Sequence, residues 1–307
     1  MYRITIEHAA MAVEKGAAAL LAYCQQNNIH AVVTGSSGGL DSAVTLGIAQ
    51  RACQAGGKIG YELVSYGIIM PCESKPEAEI LGREAIRKFQ AVEVKIDLTE
   101  VFQFAEKALL SPLNEQLYVI LKDRPGRALQ DFEWSKKIAQ GNVKARMRMM
   151  FGTYHVARML GGMVLSTDNL SEYWMGFWTM NGDVGDFGLI QHLMKGTELY
   201  EVARYLGVPQ GIIAAKPDDG LGISGGDEDQ LGAKYPDLDF TMATLIKNGF
   251  DINGSMDQLD HLCPVPGIPK ETVLKLATRC LRNAFKRRGA RTLSRHELGL
   301  PEVGETV

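Results

Sequence analysis

Between an apolar run ending Ala31-Val32-Val33 and an apolar stretch Ala43-Val44-Thr45-Leu46 stand eight residues, Gly35-Ser36-Ser37-Gly38-Gly39-Leu40-Asp41-Ser42, that read as a phosphate-binding loop. Glycines let the backbone fold tightly around an anion, and a helix starting near Asp41 would point its positive end at it. No lysine accompanies the loop, so the usual device for gripping β and γ phosphates during terminal phosphate transfer is missing. Asp41 takes its place. A carboxylate beside phosphates is repulsive unless a divalent cation lies between them, and Mg²⁺ accepts one or two carboxylates together with phosphate oxygens. Asp41 therefore implies Mg²⁺. Farther along, Ser166-Thr167-Asp168-Asn169 ends a buried apolar run, which puts Thr167 and Asp168 at a strand C-terminus, where α/β sheets bind ligands.

The elements that must position these residues follow from periodicity. An amphipathic helix covers roughly residues 4 to 27, His30 to Thr34 is a strand entering the loop, and Ser42 to Gln54 is a helix. Leu63 to Met70 reads as a strand, Lys75 to Phe89 as a helix and Ala91 to Ile96 as a third strand. Strands separated by helices of this length predict βαβ units with right-handed crossovers, an α/β fold with a doubly wound parallel sheet. From Leu98 to about Leu160 the pattern is helical, with a loop near Lys122 to Gly126 and a long helix through Gly141 to Met150. Met163 to Ser166 is a further buried strand. The acidic, glycine-rich stretch Asp218 to Asp229 reads as a mobile lid or surface loop. With no internal repeat and no Pro-rich linker, residues 1–307 are expected to form one domain, ending in a basic tail over 286–307.

Composition narrows the class. The chain has 307 residues, 46% hydrophobic and 22% charged, enough for a sizeable core. A net charge of −3 offers no field to attract nucleic acid, and the one basic cluster is C-terminal. The five cysteines, Cys24, Cys53, Cys72, Cys263 and Cys280, are widely spaced without C-x-x-C, so neither a zinc site nor a disulfide framework is indicated and a reducing cytoplasm fits. Ala9 to Tyr23 is interrupted by Glu14 and Lys15, and no stretch reaches the ~18 apolar residues a membrane span requires.

The loop resembles the S-G-G-x-D-S signature of the ATP pyrophosphatases. Together with Gly141-Asn142-x-Lys144-Ala145-Arg146-x-Arg148-Met149, Ser166-Thr167-Asp168-Asn169-x-Ser171-Glu172, Gly182-Asp183, Leu193-Met194-Lys195 and Asp227-Glu228-Asp229-Gln230-Leu231-Gly232, it resembles the synthetase domain of the NAD synthetases over about residues 5 to 290. The resemblance implies a PP-loop fold with helical additions and an ammonia-dependent ligase. Such an enzyme adenylates the nicotinate carboxylate of deamido-NAD with ATP and Mg²⁺, and ammonia then displaces AMP. It also implies roles for individual residues. Gly35, Ser36, Ser37, Gly38, Gly39, Leu40, Asp41 and Ser42 would hold the pyrophosphate, and Asp41 and Glu172 the magnesium. Thr167 and Lys195 would contact ATP, with Asp41 and Lys195 carrying the chemistry, while Arg146, Asp186 and Lys286 would bind deamido-NAD. A homodimer built on the helix bearing Arg146 is implied as well.

Three positions depart from the pattern of the ammonia-dependent relatives: Met180 stands where a lysine is usual, Phe285 where a histidine is usual, and Asp218 where a small hydroxyl residue is usual. These bear on the acceptor rather than on adenylation, and they favour as rival an amide ligase of the same fold acting on another carboxylic acid. Free ammonia is the expected nucleophile, because the adenylating domain already occupies the chain; a separate glutaminase subunit stays open as its source.

Overall fold

The computed structural model describes residues 3–122, 131–182, 184–218, 220–223 and 225–300. Asp183, Asp219, Ser224, most of the loop expected near 122 to 126 and the last residues of the tail lie outside them.

Thr5 opens the first helix, α1 (Ile6–Gln26), by accepting a hydrogen bond from the His8 amide at 3.2 Å, which satisfies one of the orphan donors of a helix start. Strand β1 (Ala31–Gly35) leads through the glycine loop into α2 (Leu40–Lys58), and β2 (Val64–Ile69), α3 (Pro76–Lys88) and β3 (Val92–Lys95) follow. Next come α4 (Thr99–Ala105), α5 (Ser111–Lys122) and α6 (Phe132–Met147); a π-helical segment, Arg148–Thr153, continues α6 into α7 (Tyr154–Met159). Strand β4 (Met163–Ser166), the short helix α8 (Leu170–Met175) and a two-residue strand β5 (Phe187–Gly188) complete the sheet region. The helices that follow are a π-helical turn Lys195–Leu199, then α9 (Tyr200–Leu206), α10 (Gln210–Ala214), α11 (Asp227–Leu231), α12 (Tyr235–Lys247), a 3-10 segment Met256–His261, α13 (Lys270–Arg282) and α14 (Ala284–Arg287).

All strand pairs are parallel, in the order β3-β2-β1-β4-β5, with Ala31 opposite Val64, Val32 opposite Met163 and Leu165 opposite Phe187. Because successive strand side chains point to opposite faces, Val32, Met163 and Leu165 join the large core with α1, α2 and α9, whereas Val33, Ile68 and Val164 pack with Ala157 of α7. The sheet is therefore covered on both faces, as its continuous apolar strands require. Leu46 of α2 is completely buried there; truncating such a side chain to alanine costs ~2–5 kcal/mol. A separate apolar cluster unites α8, α12 and α13 around Met175, Tyr235, Leu238, Met242 and Leu276.

After β1 the chain winds outward through β2 and β3, then returns to place β4 on the other side of β1. That reversal makes the carboxyl ends of β1 and β4 a switch point, where the two diverging connections leave a crevice. Asp41 follows one of these strands and Glu172 the other.

Two expectations require correction. Asp227 to Asp229 do not belong to a loop: they form the first turn of α11, and Asp227 is buried. Lys286 and Arg287 belong to α14 rather than to a free tail, because both are drawn onto main-chain carbonyls elsewhere in the fold. Strand β5, only two residues long, was not legible in the sequence. Among the described residues no helix is long and apolar enough to cross a membrane.

Candidate functional site

The loop after β1 is shaped by Gly38, whose φ of +83° lies in the left-handed region and whose added Cβ would sit 2.4 Å from the Ala78 carbonyl oxygen. Only glycine fits this turn without displacing α3. Gly35 ends β1, and Gly39 caps α2 without any side-chain hydrogen bond, so the amides of the first turn keep their direction toward the crevice. The Ser37 hydroxyl accepts from the Gly39 amide at 3.3 Å and lies 3.3 Å from the Ser42 hydroxyl, which donates to the Gly39 carbonyl at 3.0 Å. Two loop residues have their side chains engaged elsewhere. The buried Ser36 hydroxyl donates to the Gly82 carbonyl at 3.0 Å, tying the loop to α3, and the Leu40 side chain belongs to the main core. Both side chains serve the loop through packing, and the Ser36 amide donates to the Ile68 carbonyl of β2 at 2.8 Å.

Across the switch point, Asn169 caps α8: its side-chain oxygen accepts from the Glu172 amide at 3.0 Å while Glu172 Oε2 accepts from the Asn169 amide at 3.4 Å. The amide group of Asn169 also donates to Asp41 Oδ1 at 2.8 Å, which joins the two strand ends directly. Thr167 lies half-buried between β4 and α8, and the buried Asp168 accepts from Ser166 Oγ at 2.7 Å.

Lys195 brings these parts together. It is 4% exposed, and its Nζ lies 2.9 Å from Asp41 Oδ2, 3.1 Å from Glu172 Oε1 and 3.5 Å from Asp227 Oδ2. The Tyr235 ring sits under the ammonium at 4.5 Å, and its hydroxyl donates to Glu172 Oε1 at 3.1 Å and to Asp227 Oδ2 at 3.2 Å. Three carboxylates against one ammonium leave an excess of negative charge in a buried space. Burial, reinforced by Asp41, Asp227 and Asp168 against the opposing pull of Lys195, pushes the Glu172 carboxyl up to about 8. Burial disfavours the Lys195 ammonium, but Asp41 and Glu172 outweigh it and hold the amine protonated well above its ordinary range. Burial and the same carboxylates push the Tyr235 phenol well above its ordinary value, so it serves as a donor.

Magnesium fits this donor set. The Asp41 and Glu172 oxygens converge on one cation, and hard carboxylate oxygens are what Mg²⁺ accepts. Among the described residues no three or more His, Cys, Asp or Glu form a ready-made metal cage.

The residues expected on the acceptor are dispersed. Arg146 donates through Nε and Nη2 to the Met180 carbonyl at 3.3 and 3.2 Å. Lys286 Nζ donates to the Gly176 and Trp178 carbonyls at 2.7 and 2.6 Å and lies over the Trp178 ring. Both thus meet on residues 176–180. They have company: Asn283 donates to the Met175 carbonyl at 2.8 Å and Arg287 to that of Trp174 at 2.9 Å, so the basic end of the chain satisfies the last carbonyls of α8. Asp186 stands apart at the edge of β4, accepting from the Tyr154 hydroxyl and the Val164 amide, each at 2.9 Å. Of the departures, Asp218 is turned to Lys75 at 2.7 Å, and Phe285 is 56% exposed. Burial raises the Asp218 carboxyl, but the Lys75 ammonium and the Gly220 amide outweigh it and hold the group below its ordinary value.

Asn169, Asp227 and Tyr235 enter the site without having been assigned a role from sequence. Asn169 carried a signal, the N-cap pattern completed by Glu172 at its third position. Tyr235 carried none.

Comparison with known proteins agrees with this architecture. The profile of the NAD synthase family matches residues 12–290. The chain is 31% identical over 261 residues to the NH(3)-dependent NAD(+) synthetase of Methanococcoides burtonii, covering 84% of this chain and 85% of that protein. It is 34% identical over 221 residues to the protein of the same name from Carboxydothermus hydrogenoformans, covering 72% and 79%. Among solved structures, the NMN synthetase of Francisella tularensis superposes with a TM-score of 0.65 at 24% identity, covering 93% of this chain and 98% of that one. The NH3-dependent NAD synthetase of Campylobacter jejuni gives 0.61 at 20% identity, covering 93% and 99%; at these identities the likeness speaks to the fold. With a family profile spanning nearly all of its length and two relatives above 30% identity, the chain belongs to the NAD synthase family.

Proposed function

We propose that this protein is an ammonia-dependent ligase that converts deamido-NAD to NAD at the expense of ATP. The observation that carries the reading is the convergence of Asp41 and Glu172, from the two sides of the switch point, on the Lys195 ammonium beside a glycine loop. In the first step an oxygen of the nicotinate carboxylate attacks the α-phosphorus of ATP, and the bond to pyrophosphate breaks. In the second, ammonia attacks the activated carbonyl carbon, forming the amide and releasing AMP and a proton.

The chain's residues divide this work. The main chain of residues 37–39, the start of α2 and the Ser37 and Ser42 hydroxyls would hold the departing pyrophosphate, and Thr167 would contact the nucleotide. Asp41 and Glu172 would hold magnesium, which when bound offsets phosphate charge and stabilises the leaving group. Lys195, held by Asp227 and Tyr235, supplies positive charge where negative charge develops. Arg146, Lys286 and the aromatic residues 177 and 178 would shape the acceptor side, with Asp186 holding the adjoining strand.

We place the enzyme in the cytoplasm as a homodimer acting as a single domain. All five cysteines are free, which suits a reducing compartment. Exposed Phe104 on α4, Leu109 in the π-helical segment Glu106–Leu110 that follows it, Leu113 on α5, Trp134 on α6 and Met150 in its π-helical extension supply apolar surface for a second copy.

The test is to incubate purified protein with ATP, Mg²⁺, ammonium and deamido-NAD and to follow NAD, AMP and pyrophosphate together by chromatography. Equimolar formation of all three supports the reading. A second reading, an amide ligase for another carboxylic acid, is favoured by the engagement of Lys286 Nζ with two main-chain carbonyls. Pyrophosphate release with other acids but not with deamido-NAD would establish it.

A further inference from the structure

A carboxylate behind the site has no place in the proposed chemistry. Asp239 of α12 is 1% exposed and accepts three hydrogen bonds: from Ser171 Oγ at 2.5 Å, from the Gly196 amide at 2.8 Å and from Thr197 Oγ1 at 3.3 Å. Ser171 immediately precedes Glu172, and Gly196 immediately follows Lys195. The Ser171 hydroxyl that donates to Asp239 also accepts from the Lys195 amide at 2.9 Å. A single carboxylate thus fastens together the main-chain segments that carry the cation and one of the anions of the site.

The rest of α12 strengthens the joint. Tyr235, four residues earlier and on the same helical face, reaches the Lys195 ammonium and Glu172 at the side-chain ends that Asp239 fixes at the main-chain ends. Gly196 is pressed against the start of this helix, where an added Cβ would lie 2.4 Å from the Pro236 nitrogen. Its path past α12 is therefore confined. A stability role alone explains Asp239 poorly. Burying a carboxylate whose recorded partners are neutral donors is costly, and an apolar residue of similar size would avoid that cost.

We propose that Asp239 is a positioning residue for adenylation, acting through Ser171 and Gly196 to set the Lys195 ammonium against Asp41 and Glu172. This rests on the reading that Lys195 contacts the nucleotide phosphates. A displacement of about 1 Å at a reacting centre can cost 10²-fold in rate, so loss of the joint is felt at Lys195 first.

The test is a double-mutant cycle on the full-length protein, read as the affinity for Mg²⁺ with the non-hydrolysable analogue α,β-methylene-ATP by calorimetry, without any acceptor acid. Asp239→Asn is expected to weaken binding ~10-fold or more and Ser171→Ala by less, whereas neither change weakens it further once Lys195→Met is present. Should Asp239→Asn fail to fold, Ser171→Ala carries the same cycle. Losses that multiply in the Lys195→Met background, or wild-type affinity in Asp239→Asn, overturn the proposal, as does a Lys195→Met protein that binds like wild type. Because no acceptor is present, failure to make NAD would sink the functional reading and leave this cycle intact. Multiplying losses in an enzyme that does make NAD would sink the positioning role alone.

Discussion

Replacing Lys195 by methionine keeps the length of the side chain and removes the ammonium that Asp41, Glu172 and Asp227 share. All four side chains are at most 16% exposed, so solvent does little to soften the loss. Removing one partner of a buried ionic group costs ~3–5 kcal/mol, which at 2–4 °C per kcal/mol lowers the thermal midpoint by roughly 6–20 °C. The cost depends on pH, and its sign follows from Glu172. Its carboxyl is raised from an ordinary 4.5 to about 8, so the folded state holds a proton that the unfolded state releases, and stability falls as pH rises through that window. Without the ammonium the carboxyl rises further, so the deficit relative to wild type is larger at alkaline than at neutral pH. Magnesium should replace the missing charge: at about 100 times its Kd a ligand of the folded state returns about 2.7 kcal/mol. The assay is differential scanning calorimetry of both proteins, without nucleotide, at two pH values and over a Mg²⁺ series. The variant is expected to gain more from Mg²⁺ than the wild type, whose own ammonium competes for the same carboxylates. Equal gains in the two proteins, or a midpoint within 2 °C of wild type without metal, would refute the electrostatic account.

Gly38→Ala forces a left-handed backbone on alanine and drives its Cβ toward the Ala78 carbonyl; the backbone alone costs ~1–2 kcal/mol, and a rise in KM for ATP of about tenfold is expected in steady-state assays. Lys144 pairs with Glu73 at 2.8 Å, and this partner holds the Glu73 carboxyl below its ordinary 4.5. The pair's contribution is therefore present above about pH 4.5 and lost as pH falls through the folded value, so Lys144→Met should cost about 1 kcal/mol at pH 7, Glu73 being a third exposed, with the two denaturation curves converging in acid. Burial, with a smaller push from Glu198, raises the Asp239 carboxyl to about 6 against three opposing donors. Its ionised form is the one that accepts all three, so kcat should fall on the acid side of about pH 6, and Asp239→Asn should flatten that limb of the pH profile.

Strands β1 to β4, the crossover helices and the glycine loop were legible because each is written locally. A short continuous apolar run bounded by turn residues specifies a buried strand, and the spacing of glycines specifies a tight turn. The roles of Asp41, Glu172, Thr167 and Lys195 came instead from the family motifs, and the fold brings Asp41, Glu172 and Lys195 into direct contact. Legibility ended where a residue's task is set by a distant part of the chain. Ser36 stands in the phosphate motif yet spends its hydroxyl on Gly82, forty-six positions away, because the loop must be tied to α3. Lys286, at the start of the expected basic tail, was assigned to deamido-NAD, and its ammonium is held by carbonyls more than a hundred positions earlier. Asp218, standing where a small hydroxyl residue is usual, is drawn off by Lys75.

By itself, then, the chain's pattern determined a parallel α/β sheet and a glycine turn without a lysine between β1 and α2, and it led to the expectation of bound phosphate and a cation beside Asp41. Tertiary structure alone decided that Asp227 and Tyr235 share the Lys195 ammonium and that Asp239 holds its main chain. The physical reason is that a buried charge must find its partners wherever packing supplies them, and that supply comes from helices α11 and α12, whose sequence separation from Asp41 leaves no periodic trace.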